Sequence, residues 1–287
     1  TAASASTAGD QRLSINGDTL LMRVNQAAAD GTVVDFAARE LVVVTGPTAS
    51  QTINLAASEG EVTRVSGNLA LTAGDFFRVA GAFALDRSVK QVVLANGDQL
   101  KVNAVTIGAK GVTTFAGLNP GSASAVGITL ADTGFALAML GDQSDTTRTW
   151  IALTATSGAV SLTGIPAATI SGTSLKVSLN RAAGDGSLVD FLAAPMTVGT
   201  GPGTGVELNF DGRQGELIKV AGVIDLAVSD FFHVTGNLAF ERSNTRVRLS
   251  DRSEVDVAML AVGGVNVSAF AGLNGGATNA VGLNLVD

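Results

Sequence analysis

The chain reads as all-β: two tandem copies of one antiparallel β unit, repeated at an offset of 155 residues, as a stacked sandwich or a β-solenoid-like array. Three observations lead there. Arg64–Ser88 (RVSGNLALTAGDFFRVAGAFALDRS) aligns without a gap to Lys219–Ser243 (KVAGVIDLAVSDFFHVTGNLAFERS). Apolar residues alternate with small or polar ones, the period of a strand with two unlike faces. Glycine is abundant, with 35 in 287 residues, and no collagen period orders it, so it marks turns and close backbone approaches.

The internal match extends in both directions. From Val65–Asp132 to Val220–Asp287, 27 of 68 positions are identical. Upstream, Asn25, Asp30, Gly31, Asp35 and Phe36 meet Asn180, Asp185, Gly186, Asp190 and Phe191. Residues 1–132 therefore form a first copy and 156–287 a second, with 133–155 present once as a junction.

The clearest predicted element is a hairpin over Arg64–Asp86. Val65, Gly67, Leu69 and Leu71 in its first strand, and Phe77, Val79, Gly81, Phe83 and Leu85 in its second, form the face expected to be buried. Phe rings are expected to lie over Gly67, Gly81, Gly222 and Gly236, as aromatic side chains do over sheet glycines. Further strands are expected at Gln91–Leu94, Gln99–Ile107, Ala125–Leu130, Thr149–Thr154 and Ser174–Asn180, with turns at Asn16-Gly17, Asn96-Gly97 and Asp185-Gly186. Phe135–Leu140 is apolar but too short to assign.

Composition excludes several classes of function. A net charge of −7 without a Lys/Arg cluster speaks against nucleic acid and against anionic membrane surfaces. No cysteine is present, so disulfides, thiolate metal sites and cysteine nucleophiles are out. No apolar run reaches the ~18–20 residues of a membrane helix. An outer-membrane barrel would carry aromatic girdles, whereas this chain has no Tyr and a single Trp. Thr1–Asp10 has neither a basic start nor an apolar stretch. With no initiator Met, the expectation is a processed product or a piece of something longer.

The DFF-x-V-x-G-x-L/F-A-F/L-D/E-R-S segments, with the VSG and AVGL strands around them, resemble tandem β-repeats of very large bacterial extracellular surface proteins, adhesin-like or stalk-like. The resemblance covers essentially the whole chain. It implies a secreted, tandem, structural or adhesive role and brings no catalytic residues. Arg252 and Ser253 depart from it, replacing Gly97 and Asp98 in a turn.

Candidate sites are few, and no catalytic residue is predicted. Asn25, Asp30 and Asp35, matched by Asn180, Asp185 and Asp190, place oxygen ligands around an Asp-Gly turn. Calcium wants about six to eight oxygens, and these are the candidates for it, although they lack tight D-x-D-x-D spacing. Turn and strand-capping duty explains the same residues. His233, the single histidine, falls on the polar side of its strand. Gly199–Gly205 (GTGPGTG) lacks the helix and lysine of a phosphate loop and runs into a strand pattern. Asp75, Asp230 and the Asp86-Arg87 and Glu241-Arg242 pairs suit cross-strand partners or solvated strand ends. Trp150 is expected to pack at a junction between units. Asn266-Val267-Ser268 fits a glycosylation sequon, but Gly111 stands at its counterpart.

The sequence thus predicts no enzyme and no required cofactor. It predicts an extracellular or cell-surface structural repeat whose partner is another copy of itself. The alternative is a surface adhesion or glycan-binding module, with or without calcium. The second copy reaches Asp287, the counterpart of Asp132, so the region around Thr1–Ile15 of one subunit is expected to cover Ala280–Asp287 of another, head to tail.

Overall fold

The structure is a computed structural model and describes residues 2–6, 13–73, 76–275 and 278–286. Its described residues form strands, loops and two single 3-10 turns, with no α-helix. The strands are β1 (Ala2–Ser6), β2 (Leu13–Asn25), β3 (Leu41–Gly46), β4 (Ala49–Ile53), β5 (Val62–Ala73), β6 (Phe77–Val93), β7 (Gln99–Leu118) and β8 (Val126–Asp142). They continue as β9 (Thr149–Thr163), β10 (Ala168–Arg181), β11 (Met196–Gly201), β12 (Thr204–Leu208), β13 (Leu217–Val228), β14 (Phe232–Arg248), β15 (Glu254–Leu273) and β16 (Val281–Val286).

Twelve strands make one antiparallel sheet in the order β1-β2-β5-β6-β7-β8-β9-β10-β13-β14-β15-β16. The hairpins β3-β4 and β11-β12 stand apart as two-stranded sheets. The all-β expectation therefore holds, as one broad meander. The only second layer among the described residues is a hairpin laid on the sheet, not a facing sheet of similar size. Element bounds recur 155 residues on: β2 with β10, β3 with β11, β4 with β12, β5 with β13, β6 with β14 and β7 with β15.

The strands are long, 17 residues in β6 and 20 in β7. They are interrupted by a line of bulges. Register shifts fall at Asp18/Leu21, Ala80/Ala82, Ala109/Val112 and Thr173/Lys176. Each bulge raises the local twist. Asn16-Gly17 lies within β2, not in a turn: the strand continues because Leu20 and Leu69 pack over Gly17. Asn96-Gly97 does turn the chain, with Gly97 at φ 92°. Gln91–Val93 belongs to β6, and Phe135–Leu140 lies within β8. Gly74 and Asp75 lie outside the described residues.

The glycines of the supposed buried face are covered by aliphatic side chains, not by Phe rings. A Cβ added at Gly67 or Gly222 would strike Leu20 or Leu175, and one at Gly81 or Gly236 would strike Val112 or Val267. The bulges explain this, because they turn the leucines Leu20 and Leu175 back over the strand beside them.

The face assignment itself is corrected. Phe83 is only half-buried, Leu85 is 41 % exposed and Leu238 39 %. The large side chains form a row running straight across the sheet: Met22, Val65, Leu85, Ile107, Leu137 and Leu153 are successive cross-strand neighbours. No described element is laid over that row. The buried face is the opposite one, made of small residues. Ala84, Asp86 and Ser88 of β6, Ala104 and Thr106 of β7, and Ala136 and Ala138 of β8 are all buried. The β11-β12 hairpin lies on this face and seals the core with Met196, Val198 and Leu208.

Small residues are what that contact requires. The Gly199 carbonyl oxygen sits where a Cβ of Gly108 would be, and the Ala82 methyl meets Gly201. Gly263, the counterpart of Gly108, has open space above it. Gly108→Ala is expected to lower stability by about 1–3 kcal/mol through overpacking, whereas Gly263→Ala is expected to cost nothing measurable. Denaturant unfolding of the two variants checks both.

Candidate functional site

The most elaborate constellation in the chain is the seam where residues 182–216 meet the sheet formed by β6 to β9. It begins with main-chain bonds. Ala95 N donates to Leu188 O and Asp190 N to Val93 O, each at 2.8 Å, so Leu94 and Val189 form an isolated antiparallel bridge. This aligns the incoming segment with the end of β6. Beside it, Trp150 is buried and its indole Nε1 donates to Ser187 O at 2.9 Å. Trp150 is thus packed between β9 and the loop that carries Ser187.

Arg148 completes this clamp. Its guanidinium lies 5.3 Å from the centroid of the Trp150 ring. It reaches Asp142 and Asp185 at 3.0 Å each, so it ties the β8-β9 turn to the incoming loop. Asp142 is buried and Asp185 is not, which makes the inner pair the better-shielded one. Beyond the clamp, Phe191 and Phe210 meet edge to face, with centroids 6.2 Å apart. Val189, Phe191, Met196, Val198 and Leu208 then close on Val102, Ala104, Ala138, Leu140 and Trp150. Each fully buried Val, Leu or Phe side chain there contributes roughly 1.5–3 kcal/mol.

The six calcium candidates form two separate groups, each an Asn at the end of β2 or β10 and two aspartates of the loop that follows, and they bond the backbone in both. Asn25 Nδ2 donates to Val34 O and Asn180 Nδ2 to Val189 O. Asp30 Oδ1 accepts from Thr32 N and Oγ1; Asp185 Oδ1 accepts from Ser187 N and Oγ. Asp35 Oδ1 accepts from Ala37, Ala38 and Ala57 N, and Asp190 Oδ1 from Leu192, Ala193 and Gly212 N. Such bonds favour the ionised form. The Thr32 amide and then its hydroxyl hold the Asp30 carboxyl below the usual carboxylate range, and the Ser187 hydroxyl and then its amide do so for Asp185. Among the described residues no three His, Cys, Asp or Glu side chains gather as a metal would need.

The remaining candidates are dispersed. His233 Nε2 lies 3.0 Å from Asp225 Oδ2 on the neighbouring strand, and both are well exposed. Asp86 accepts from Arg64 across the strands at 2.7 Å, and Glu241 pairs with Lys219 at 3.0 Å. Gly199–Gly205 is the tip of the β11-β12 hairpin, where its glycines permit the close approach to Ala82, Ala84 and Gly108. Asn266 sits in a bulge of β15 at φ 54°, a conformation that Gly111 takes in β7. Arg148, Leu188 and Val189, which hold the seam together, were not singled out in the sequence, and Asp190 was singled out there only as a calcium candidate. Only the spacing of Trp150 from the repeated parts hints at them.

No protein family, curated protein or solved structure matches the chain. No helix among the described residues is long and apolar enough to cross a membrane.

Oδ1 of each of the four aspartates accepts backbone amides, and the Asn25 and Asn180 side-chain amides donate to backbone carbonyls, while Asn180 Oδ1 is buried without a hydrogen-bond partner. Chelation with EDTA is therefore expected to leave the melting temperature unchanged. A drop on chelation, restored by added calcium, would show that these loops bind the ion.

Proposed function

We propose that the chain is a structural repeat segment of an extracellular filament, stalk or adhesin, built from tandem copies of one β unit and assembling head to tail, without catalysis. The observation that carries this reading is the seam: the hairpin of residues 196–208 completes the core of the sheet that precedes it, so each unit is finished by the next one. Repeat arrays draw their stability from such nearest-neighbour interfaces. The surface setting rests on the resemblance of the DFF and AVGL segments to bacterial surface repeats.

The two sheet edges supply the means of joining. Edge strands present unpaired backbone groups that recruit other strands. At the 155-residue offset β16 corresponds to Val126–Ala131 of β8, and β1 to Ser157–Ser161 of β9. The β1-β2 register, Ala2 opposite Leu20 and Ser6 opposite Asn16, repeats that of Ser157 opposite Leu175 and Ser161 opposite Ser171. In the β8-β9 pair, Leu130 faces Val160 and Ala131 faces Ala159. The same register between molecules sets Leu285 of one copy opposite Ala5 of the next, and Val286 opposite Ser4. A heterologous contact of this kind extends into open filaments.

Sedimentation and negative-stain electron microscopy over a concentration series test the proposal. End-to-end rods that lengthen with concentration are expected. A chain that stays monomeric at high concentration would overturn it.

A further inference from the structure

The seam inside the chain has an unfilled counterpart. Val198 is fully buried, and its equivalent Val43 in β3 is 40 % exposed; Val189 is fully buried and Val34 is 56 % exposed. On the receiving side, Leu94 is 2 % exposed but Leu249 is 45 %, and Ala104 is buried while Met259 is 36 % exposed. One hairpin is thus a plug without a seat, and one sheet face is a seat without a plug.

The seat has the right shape. A groove of about 1500 Å³ separates residues 182–216 from the face of β14 and β15. Its wall includes Glu241, Ser243, Val257 and Met259. These hold the positions of Asp86, Ser88, Val102 and Ala104, all buried in the first half under the β11-β12 module. Gly263 stands open where Gly108 receives the Gly199 carbonyl.

We infer that the β3-β4 hairpin of a second copy of this chain docks in that groove, on the face of β14-β15, as β11-β12 docks on β6-β7. The inference rests on the head-to-tail reading above and names the surfaces that interlock beyond the sheet edges. In the docked position Leu41 and Val43 point at the sheet as Met196 and Val198 do. Val34 aligns beside Leu249, with Asp35 N donating to Arg248 O and Ser250 N to Val33 O, the counterparts of the two main-chain bonds at the internal seam. Several contacts differ: Asn237 stands where the Ala82 methyl meets Gly201, Met259 stands at the position of Ala104, and the hairpin itself changes at one tight place. Val44 replaces Gly199, where a Cβ would lie 3.4 Å from the Ala84 methyl, so the seat around Ala239 widens by the valine branches.

That contact also provides the test, because the chain has no cysteine of its own. A Cβ separation near 3.4 Å at the internal site is close to the ~3.5–4.5 Å that a disulfide spans. Chains carrying V44C are mixed with tagged chains carrying A239C and oxidised. A second mixture pairs V44C with L238C, which lies on the opposite face of the same strand. A V44C–A239C heterodimer several-fold stronger than the V44C–L238C product is the expected result. Equal yields from both mixtures would mean indiscriminate contact and overturn the docking. Chains that assemble by sedimentation yet give no heterodimer would overturn the docking and leave edge-to-edge assembly standing. Chains that neither assemble nor cross-link would overturn both.

Discussion

A single sheet has two faces and no inside, so a broad meander acquires a core only when something is laid on it. In this chain that something is one hairpin. Met196 and Val198 of β11 and Leu208 of β12 reach the β6-β8 face across a bed of Ala, Gly, Ser and Thr, and the fully buried Trp150, Val102 and Val189 gather around them. The bed has to be small because two backbones touch there, the Gly199 carbonyl against Gly108. The remaining features follow from that approach. The glycine-rich tip of the hairpin, the clamp of Arg148 on Trp150 and the bridge between Leu94 and Val189 all hold one layer against the other.

The same contact makes the two halves unequal despite their common pattern. Val34, Val43, Leu249 and Met259 hold the positions of the buried Val189, Val198, Leu94 and Ala104, and they are exposed.

Much of this was legible in the sequence. The 155-residue offset reproduces the strand bounds, because matched alternation and matched turn residues place strands in the same way each time. For Asp86 and Glu241 the sequence left cross-strand partners and solvated strand ends open, and the structure pairs them with Arg64 and Lys219 across the strands. The buried face did not. Alternation separates two faces but does not say which is covered, and Ala84, Thr106 and Ala138 read as a bland solvent face beside Phe83, Ile107 and Leu137. Hydrophobicity pointed to the large residues. Closeness of approach, which selects the small ones, leaves no periodic signal. The seam escaped for a related reason: Leu41–Val44 and Met196–Gly199 share little beyond Val43 and Val198, and the loop between Asp185 and Met196 gives no sign of where it lands. The aspartates of these loops suggested ion binding because a carboxylate that caps a turn and one that ligates calcium have the same local sequence.

The β11-β12 hairpin and the β6-β8 sheet pack as one unit, while the β3-β4 hairpin stands outside it. Amide hydrogen exchange on the dilute chain measures this directly, since protection reports the free energy of local opening. The account predicts that the ladder amides of Met196–Gly201 exchange as slowly as those of Val102–Gly108, and that those of Leu41–Gly46 exchange far faster. Equal rates in the two hairpins would contradict it.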